Sequence, residues 1–170
     1  KNFVNYLNGA FCFFIFDKLK KLILVSRDHL GLRPLYYVKT SECIKLSTNI
    51  TNFKNFGTNL AIDNKALVDQ IIYTLSKNNQ TLYKNIQSMP PGNLLEIING
   101  KYFFKEYINY EDIKINSYKN EADYIDEFKD LFSMVVKEQL KSCKKNIGMS
   151  LSGGLDSSSI SCISNKINLN

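Results

Sequence analysis

Near the end of the chain, three serines and one aspartate surround two adjacent glycines, in the sequence SGGLDSS at residues 152–158. A short apolar run at residues 149–151 precedes this segment and a helix-compatible stretch follows, which predicts a strand, a tight turn and the start of a helix. Glycine permits positive φ and lets a ligand approach the backbone. The unpaired amides of a helix start favour an anion, and the serine hydroxyls add donors. The segment therefore predicts a site for a phosphate group.

The plainer interpretation of residues 152–158 is an ordinary strand-to-helix turn that happens to use glycine. A bare pair of glycines would favour that interpretation, but here an acid and three serines sit at fixed offsets. The loop is not a Walker A motif, because no Gly-Lys-Ser/Thr follows the glycines. SGGLDSS resembles the SGGxDS signature of the ATP pyrophosphatase family, also called the PP-loop family.

Members of that family cleave ATP between the α and β phosphates and activate a substrate as its adenylate. The resemblance implies that the loop amides and serine hydroxyls hold pyrophosphate, and that the motif acid, Asp156, binds Mg²⁺ through its carboxylate. It assigns ATP and pyrophosphate binding to Leu151, Ser152, Gly153, Gly154, Asp156, Ser157 and Ser158. ATP and Mg²⁺ are thus the expected cofactors, and no catalytic residue is assigned within the chain.

A second motif, RDHLGLRPLYY, occupies residues 27–37. Taken alone, it predicts a connecting loop that is held shut by pairing of its arginine and aspartate. However, RDxxGxxPLYY resembles a segment of class II glutamine amidotransferases, as do the preceding NGAF at residues 8–11 and FD at residues 16–17. TLYKNIQSMPPGNLLEI, at residues 81–97, resembles a further segment of the same family. A glutaminase part followed by a PP-loop part resembles asparagine synthetase.

This resemblance implies an α+β chain with three parts. Residues 1–107 would be the C-terminal part of an Ntn-type glutaminase domain with antiparallel sheets, and residues 108–119 a linker. Residues 120–170 would begin an α/β PP-loop synthetase domain. In the family an N-terminal cysteine attacks glutamine, whereas here Lys1 stands first and Cys12 falls in a predicted strand. We expect a fragment that is inactive alone, in which the loop at residues 27–34 is structural.

The elements that must position these motifs are predicted from periodicity and turn residues. A continuous apolar run at residues 10–16 predicts a strand covered on both faces, paired with a strand at 22–26. Another strand is predicted at 44–47. An Asn-Gly turn predicts a hairpin of residues 93–98 and 101–107. Two helices are predicted. One runs from its cap Asp63 to Leu75, with Ala66, Leu67, Ile71 and Leu75 on one face, and the other runs from its cap Asn120 to about Ser142.

Composition narrows the function further. The net charge is +6 and the pI is near 9.0, but the lysines are dispersed, so no nucleic-acid partner is predicted. The four cysteines are not at C-x-x-C spacing and only one histidine is present, so no zinc site is predicted. The cysteines are interpreted as buried side chains in a reducing compartment. No apolar run reaches membrane-spanning length, and a cytoplasmic location is expected.

Three hypotheses for function stay open. The first is an asparagine synthetase-like ligase that uses ATP, glutamine and a carboxylate such as aspartate, with a homodimer as a candidate assembly. The second is a relative that closes a peptide or a β-lactam without glutaminase activity, as lasso-peptide cyclases and β-lactam synthetases do. Thr48-Asn49, at a point where asparagine synthetases carry Ser-Glu, favours this hypothesis. The third is a non-catalytic remnant that only binds a partner.

Overall fold

The computed structural model describes residues 2–74, 79–118, 120–141 and 146–168, which fall into two units, Lys1–Ile113 and Lys114–Asn170. The strands of the first unit are β1 (Cys12–Asp17), β2 (Leu22–Arg27), β3 (Tyr36–Lys39), β4 (Ile44–Ser47), β5 (Gln87–Ser88), β6 (Asn93–Ile98) and β7 (Lys101–Glu106). Its helices are α1 (Asn52–Asn55) and α2 (Asn64–Ile71), with 3-10 turns at Asn2–Tyr6 and Tyr110–Asp112. The second unit contains α3 (Glu121–Lys141) and α4 (Leu155–Asn168). Helices and antiparallel sheets together confirm the α+β class.

The first unit contains two antiparallel sheets. One has the strand order β1-β2-β6-β7 and the other has the order β4-β3-β5. The predicted hairpin of β6 and β7 is confirmed. Its two turn residues, Asn99 and Gly100, have φ of 50° and 75°, which is the left-handed geometry of a type I′ turn. This turn fixes the register in which Ile98 faces Lys101.

Strand β2 is buried on both faces. Leu22 and Leu24 pack on one face with Val4 of the N-terminal 3-10 turn. Val25, on the opposite face, packs with Leu35 and other residues that follow the loop after β2. The continuous apolar sequence LILV therefore matches a central strand with a core on each side.

Strand β1 corrects the prediction made from its own continuous apolar run. It begins at Cys12 rather than Ala10 and pairs only with β2 among the described strands, so it lies at the sheet edge. The side chains of Phe14 and Phe16 are 59% and 53% exposed, and Cys12 is only half-buried. An apolar run shows that a strand can be covered on both faces, but the cover must come from other segments.

Helix α2 begins as predicted and ends early. The carboxylate of Asp63 accepts hydrogen bonds from the backbone N–H of Lys65 (3.0 Å) and Ala66 (3.3 Å), which confirms the predicted cap. The helix then stops at Ile71, because Tyr73 adopts a φ of 55°. The bonds Tyr73 N–Gln70 O (3.2 Å) and Thr74 N–Asp69 O (2.8 Å) form a Schellman motif.

The early end of α2 leaves its predicted packing face incomplete. Only Ala66 is buried, while Leu67 and Ile71 are 38% and 67% exposed. Leu75, the last residue predicted for this face, lies outside the described residues. The packing prediction for this helix was therefore wrong for Leu67 and Ile71.

The second unit confirms the long predicted helix as α3, although Ser142 lies outside the described residues and the cap at Asn120 stays a prediction. The strand predicted at residues 149–151 is wrong, because residues 146–152 form neither helix nor strand. A strand needs a neighbour to satisfy its backbone groups, and the described part of this unit offers only helices. None of the helices in the described ranges is long and apolar enough to cross a membrane.

The predicted burial of the cysteines is largely wrong. Cys43 and Cys162 are exposed, while Cys143 lies outside the described residues. Cys43 lies in the turn between β3 and β4, where the hydroxyl of Thr40 forms hydrogen bonds with the backbone carbonyl and N–H of Cys43. Cys162 lies on α4, where it lines a cavity together with the neighbouring Ile163. Among the described residues, no three histidine, cysteine or acidic side chains are grouped as a metal site would require.

Candidate functional site

The segment at residues 152–158 forms a turn that leads directly into α4. Gly153 has a φ of +81°, and Leu155 is the first residue of the helix. A Cβ atom added at Gly153 would meet no heavy atom within 4 Å. A larger residue at Gly153 would therefore be opposed by backbone strain, and its side chain would fill open space in front of the loop.

The hydroxyl groups of Ser152 and Ser157 lie side by side at the mouth of this turn. Their Oγ atoms are 3.1 Å apart, and the backbone N–H of Ser152 approaches the Oγ of Ser157 at 3.4 Å. The N–H of Gly154 donates to the Oγ of Ser152 at 3.3 Å. Hydrogen bonds between hydroxyls are usually about 2.7–2.8 Å long and those from a backbone N–H about 2.9–3.0 Å, so all three contacts are weak. Both hydroxyls can turn from each other toward an incoming oxygen atom at little cost.

Ser158 differs from the other two serines. Its Oγ donates to the carbonyl oxygen of Gly154 at 2.9 Å, and its backbone N–H donates to the same oxygen at 3.2 Å. The hydroxyl of Ser157 also reaches this oxygen, at 3.3 Å. The proton of the Ser158 hydroxyl is therefore directed at the helix backbone, which makes it the least available of the three for a ligand.

Asp156 lies in the first turn of α4 and is exposed. Its carboxylate makes no hydrogen bond or ion pair with any residue in the described ranges. Both oxygens of the Asp156 carboxylate are therefore accessible to a ligand, and a hard cation is the kind of metal ion that carboxylate oxygens can hold.

A cavity of about 790 Å³ lies between α3 and α4, next to the loop. Its lining is mainly apolar and includes Phe128, Phe132, Leu155 and Ile163, with Asp156 among the few polar residues. Apolar side chains cannot replace the hydration of a phosphate group. The polar atoms that suit a phosphate are therefore those of the loop and not those of the cavity.

The loop at residues 27–33 is closed by bonds to the backbone. The guanidinium group of Arg27 donates to the carbonyl oxygens of Arg33 (2.6 Å), Met89 (2.7 Å) and Gly31, and to the Oγ of Ser88 at 2.9 Å. These partners lie on two segments of the first unit, the loop itself and residues 88–89. Arg27 therefore joins the end of β2 to its own loop and to the segment that contains β5.

Asp28 is fully buried and closes the other half of the loop. Its Oδ1 accepts from the backbone N–H of Leu32 (2.8 Å), and its Oδ2 accepts from the N–H of Arg33 (3.0 Å). The prediction that Arg27 and Asp28 pair with each other was wrong in detail, since each bonds main-chain atoms instead. Burial opposes ionisation of Asp28, but the backbone hydrogen bonds outweigh it and hold the pKa of this carboxyl below its usual value.

Two tyrosines that the sequence analysis missed contact this loop. The hydroxyl of Tyr107 donates to the carbonyl oxygen of Arg27 at 2.7 Å, and that of Tyr110 donates to the carbonyl oxygen of His29 at 2.8 Å. Both lie in or next to the stretch that was interpreted as a linker. The only available signal was the presence of aromatic rings in an otherwise polar segment.

Comparison with known proteins agrees with the two motifs. Residues 1–108 match the family model described as a glutamine amidotransferase domain, and residues 127–169 match the model described as asparagine synthase. An amidase, chyE, of Penicillium rubens is 27% identical over 94% of the chain. Asparagine synthetase 3 of Bacillus subtilis is 29% identical over 94%, and asparagine synthetase B of Escherichia coli is 30% identical over 96%.

The chain covers 24%, 26% and 24% of these three proteins, so it spans about a quarter of the length of the curated relatives it matches. Most of its own residues are matched, and the two family models follow each other in the order of the two motifs. The chain belongs to the asparagine synthetase family of glutamine amidotransferases.

Proposed function

We propose that this chain is part of an ATP-dependent ligase that forms an amide by activating a carboxylate as its acyl adenylate. The observation that carries the proposal is the turn at residues 152–158, where two weakly held serine hydroxyls and a free carboxylate meet the start of α4. Hydroxyls, amides and a carboxylate are the groups that bind the phosphates of ATP together with Mg²⁺. The nitrogen would be ammonia released from glutamine.

Adenylation is needed because the oxygen of a carboxylate is a poor leaving group. In the proposed reaction, a carboxylate oxygen forms a bond to the α phosphorus of ATP. The bond from that phosphorus to the bridging oxygen breaks, and pyrophosphate leaves with the electron pair. Ammonia then attacks the acyl carbon, AMP departs with its oxygen, and the ammonium nitrogen loses a proton to give the amide.

The loop residues would hold the pyrophosphate while it departs. The hydroxyls of Ser152 and Ser157 supply donors, and Gly153 leaves room for close approach of a phosphate oxygen. Leu151, Gly154 and Ser158 complete the loop. The hydroxyl of Ser158 donates to the carbonyl oxygen of Gly154 and would thereby hold the backbone of the loop in place. Donors that are positioned before the reaction stabilise developing charge without reorganisation.

The residues present fit a magnesium ion. Asp156 would hold it, because this carboxylate is exposed, free of partners among the described residues and beside the proposed phosphate site. When bound, Mg²⁺ neutralises negative charge on the phosphate oxygens. The chain's own contribution is to place one hard oxygen ligand at the edge of the phosphate loop.

The assignment of residue ranges to domains is also part of the proposal. Residues 1–107 would belong to the glutaminase domain, residues 108–119 to the linker, and residues 120–170 to the start of the PP-loop synthetase domain. Cys12 is not proposed as the glutaminase nucleophile, because it is a half-buried residue within strand β1. We propose that the nucleophile lies outside this chain.

The acceptor carboxylate is proposed to be aspartate, following the names of the bacterial relatives. A second candidate deserves a test, because the fungal relatives chyE and chry2 are named amidases rather than asparagine synthetases. In that case the loop would perform the same adenylation on another carboxylate. The departure at Thr48-Asn49 supports this alternative.

The test is exchange of labelled pyrophosphate into ATP by the full-length protein. We expect exchange that requires Mg²⁺ and a carboxylate substrate, with aspartate compared against other amino acids and peptides. Exchange with aspartate supports the asparagine synthetase assignment, whereas exchange with another carboxylate supports the second candidate. A folded protein that exchanges no pyrophosphate with any carboxylate and binds no ATP would refute the proposal and favour a non-catalytic remnant.

A further inference from the structure

After β7, the chain does not leave the first unit but runs back over the loop at residues 27–33. The backbone N–H of Tyr107 donates to the carbonyl oxygen of Gly92 at 2.9 Å, and its hydroxyl donates to that of Arg27 at 2.7 Å. Three residues later, the hydroxyl of Tyr110 donates to the carbonyl oxygen of His29 at 2.8 Å. Residues 107–113 are called the strap below.

The strap is also organised internally. The side chain of Asn109 accepts a hydrogen bond from the backbone N–H of Glu111 at 3.1 Å and so caps the 3-10 turn Tyr110–Asp112. The N–H of Ile113 returns to the carbonyl oxygen of Tyr110 at 3.3 Å. This turn fixes the direction in which the Tyr110 ring leaves the backbone, so the contact with His29 does not depend on a freely rotating segment.

The loop to which the strap is fastened is itself firmly held. Arg27 and Asp28 bond the backbone of the loop on both sides, and the N–H of Gly92 donates to the carbonyl oxygen of Asp28 at 3.1 Å. Burial raises the pKa of the Tyr107 phenol, so its hydroxyl keeps its proton and remains a donor. The strap is therefore anchored to a rigid part of the first unit.

The far end of the connection is fastened to the second unit. The backbone N–H of Tyr118 donates to the hydroxyl of Tyr124 on α3 at 3.0 Å. The two tyrosine rings are arranged edge to face, with their centroids 4.8 Å apart. The side chain of Asn116 contacts the hydroxyl of Tyr118 at 3.1 Å and the carboxylate of Glu127 at 3.4 Å. Residues 116–118 thus belong with α3.

We infer that the hinge between the two units is confined to Lys114 and Ile115, because tyrosine contacts fasten the connecting segment on both sides of these residues. Ile115 is 93% exposed, and neither residue has a hydrogen bond within the described ranges. Two residues span at most about 7 Å. Within the proposed linker at residues 108–119, only these two residues would then act as a flexible tether, while contacts hold the residues described on either side to one unit or the other.

Limited proteolysis of the full-length protein tests this inference, with cut sites identified by mass spectrometry. Trypsin is expected to cut after Lys114 rapidly, while chymotrypsin cuts slowly after Tyr107, Tyr110 and Tyr118. In Tyr110→Phe, which keeps the chymotrypsin site, cleavage after residue 110 should rise about two- to tenfold, the factor that corresponds to one hydrogen bond. Cleavage after Lys114 should not change.

Two further variants complete the test. Tyr124→Phe should speed cleavage after Tyr118 without affecting residue 110, whereas Tyr6→Phe, on an 85% exposed ring, should change neither rate. The inference is overturned if the wild-type protein is cut after Tyr110 as fast as after Lys114. It is also overturned if Tyr110→Phe leaves the rate unchanged, or raises cleavage equally throughout the first unit.

Discussion

Replacing Asp28 by asparagine should destabilise the protein strongly, although the change is nearly isosteric. Each of the two carboxylate oxygens accepts a separate backbone hydrogen bond, from Leu32 (2.8 Å) and Arg33 (3.0 Å), and the residue is fully buried. An asparagine has one acceptor oxygen, so its NH₂ group must face one of these N–H donors. Loss of one hydrogen bond to a charged group costs about 1.5–3 kcal/mol, and the opposed donors add to this, for a total of about 2–4 kcal/mol.

Asp17 provides a matched control. It also accepts two backbone hydrogen bonds, from Leu19 and Lys20 at 3.0 Å each, but both reach the same oxygen, Oδ1. An asparagine can therefore reproduce both bonds, and the exposed ion pair with Lys20 contributes little. Asp17→Asn should lower the free energy of unfolding by less than about 1 kcal/mol.

The assay is urea unfolding of the full-length protein followed by circular dichroism at pH 7 and at lower pH. Because the folded pKa of Asp28 lies below its unfolded value, its contribution is present above the ordinary pKa near 3.8 and is lost as the pH falls through the folded pKa. The wild-type protein should thus approach the stability of Asp28→Asn in acid. If the Asp28 and Asp17 variants lost equal stability at pH 7, the two-oxygen argument would be refuted.

Three other predictions concern the glycine of the same loop and the proposed phosphate site. Gly31→Ala should lower the free energy of unfolding by about 2 kcal/mol, because the φ of Gly31 is +67° and an added Cβ would lie 3.0 Å from a carbon of Pro91. Gly57→Ala, at a φ of +70° but with open space around the added Cβ, should lower the free energy of unfolding by about half as much. Asp156→Asn should reduce pyrophosphate exchange at low Mg²⁺ by at least about tenfold, as expected for a lost hard ligand, without shifting the thermal midpoint; normal exchange would exclude the metal role. Ser157→Ala should raise the KM for pyrophosphate about tenfold, while Ser158→Ala, whose hydroxyl bonds a backbone carbonyl, should change it less than about threefold; equal effects would show that both serines contact the ligand.

Local chemistry accounts for the parts of the fold that the sequence predicted well. The Asn99-Gly100 turn and the Asp63 cap depend on residues within a few positions of each other, and both are present. The end of α2 was missed because Tyr73, rather than a glycine, adopts the left-handed conformation. The exposure of β1 and the absence of a strand at residues 149–151 depend on which distant segments are available as neighbours, and local pattern does not contain that information.

In the candidate site, too, the features that depend on local residue types were predictable and those that depend on specific contacts were not. The order of glycine, acid and serine in residues 152–158 was sufficient to predict a turn at a helix start, because each residue type has its own backbone or hydrogen-bonding preference. The unequal roles of Ser157 and Ser158 could not be predicted, since they depend on which hydroxyl reaches the carbonyl of Gly154 more closely. The assignment of these residues to pyrophosphate stays a prediction.

The way in which Arg27 and Asp28 hold their loop determines which positions evolution can vary. Most hydrogen bonds of these two side chains go to main-chain atoms, so the loop geometry does not depend on the identity of the exposed side chains at positions 30 and 32. Leu30 and Leu32 are 62% and 63% exposed and contribute only backbone to these contacts. In a saturation mutagenesis library, we expect most residues to be tolerated at positions 30 and 32 and very few at positions 27, 28 and 31. The backbone conformation of the loop would then be retained while the side chains on its exposed surface vary.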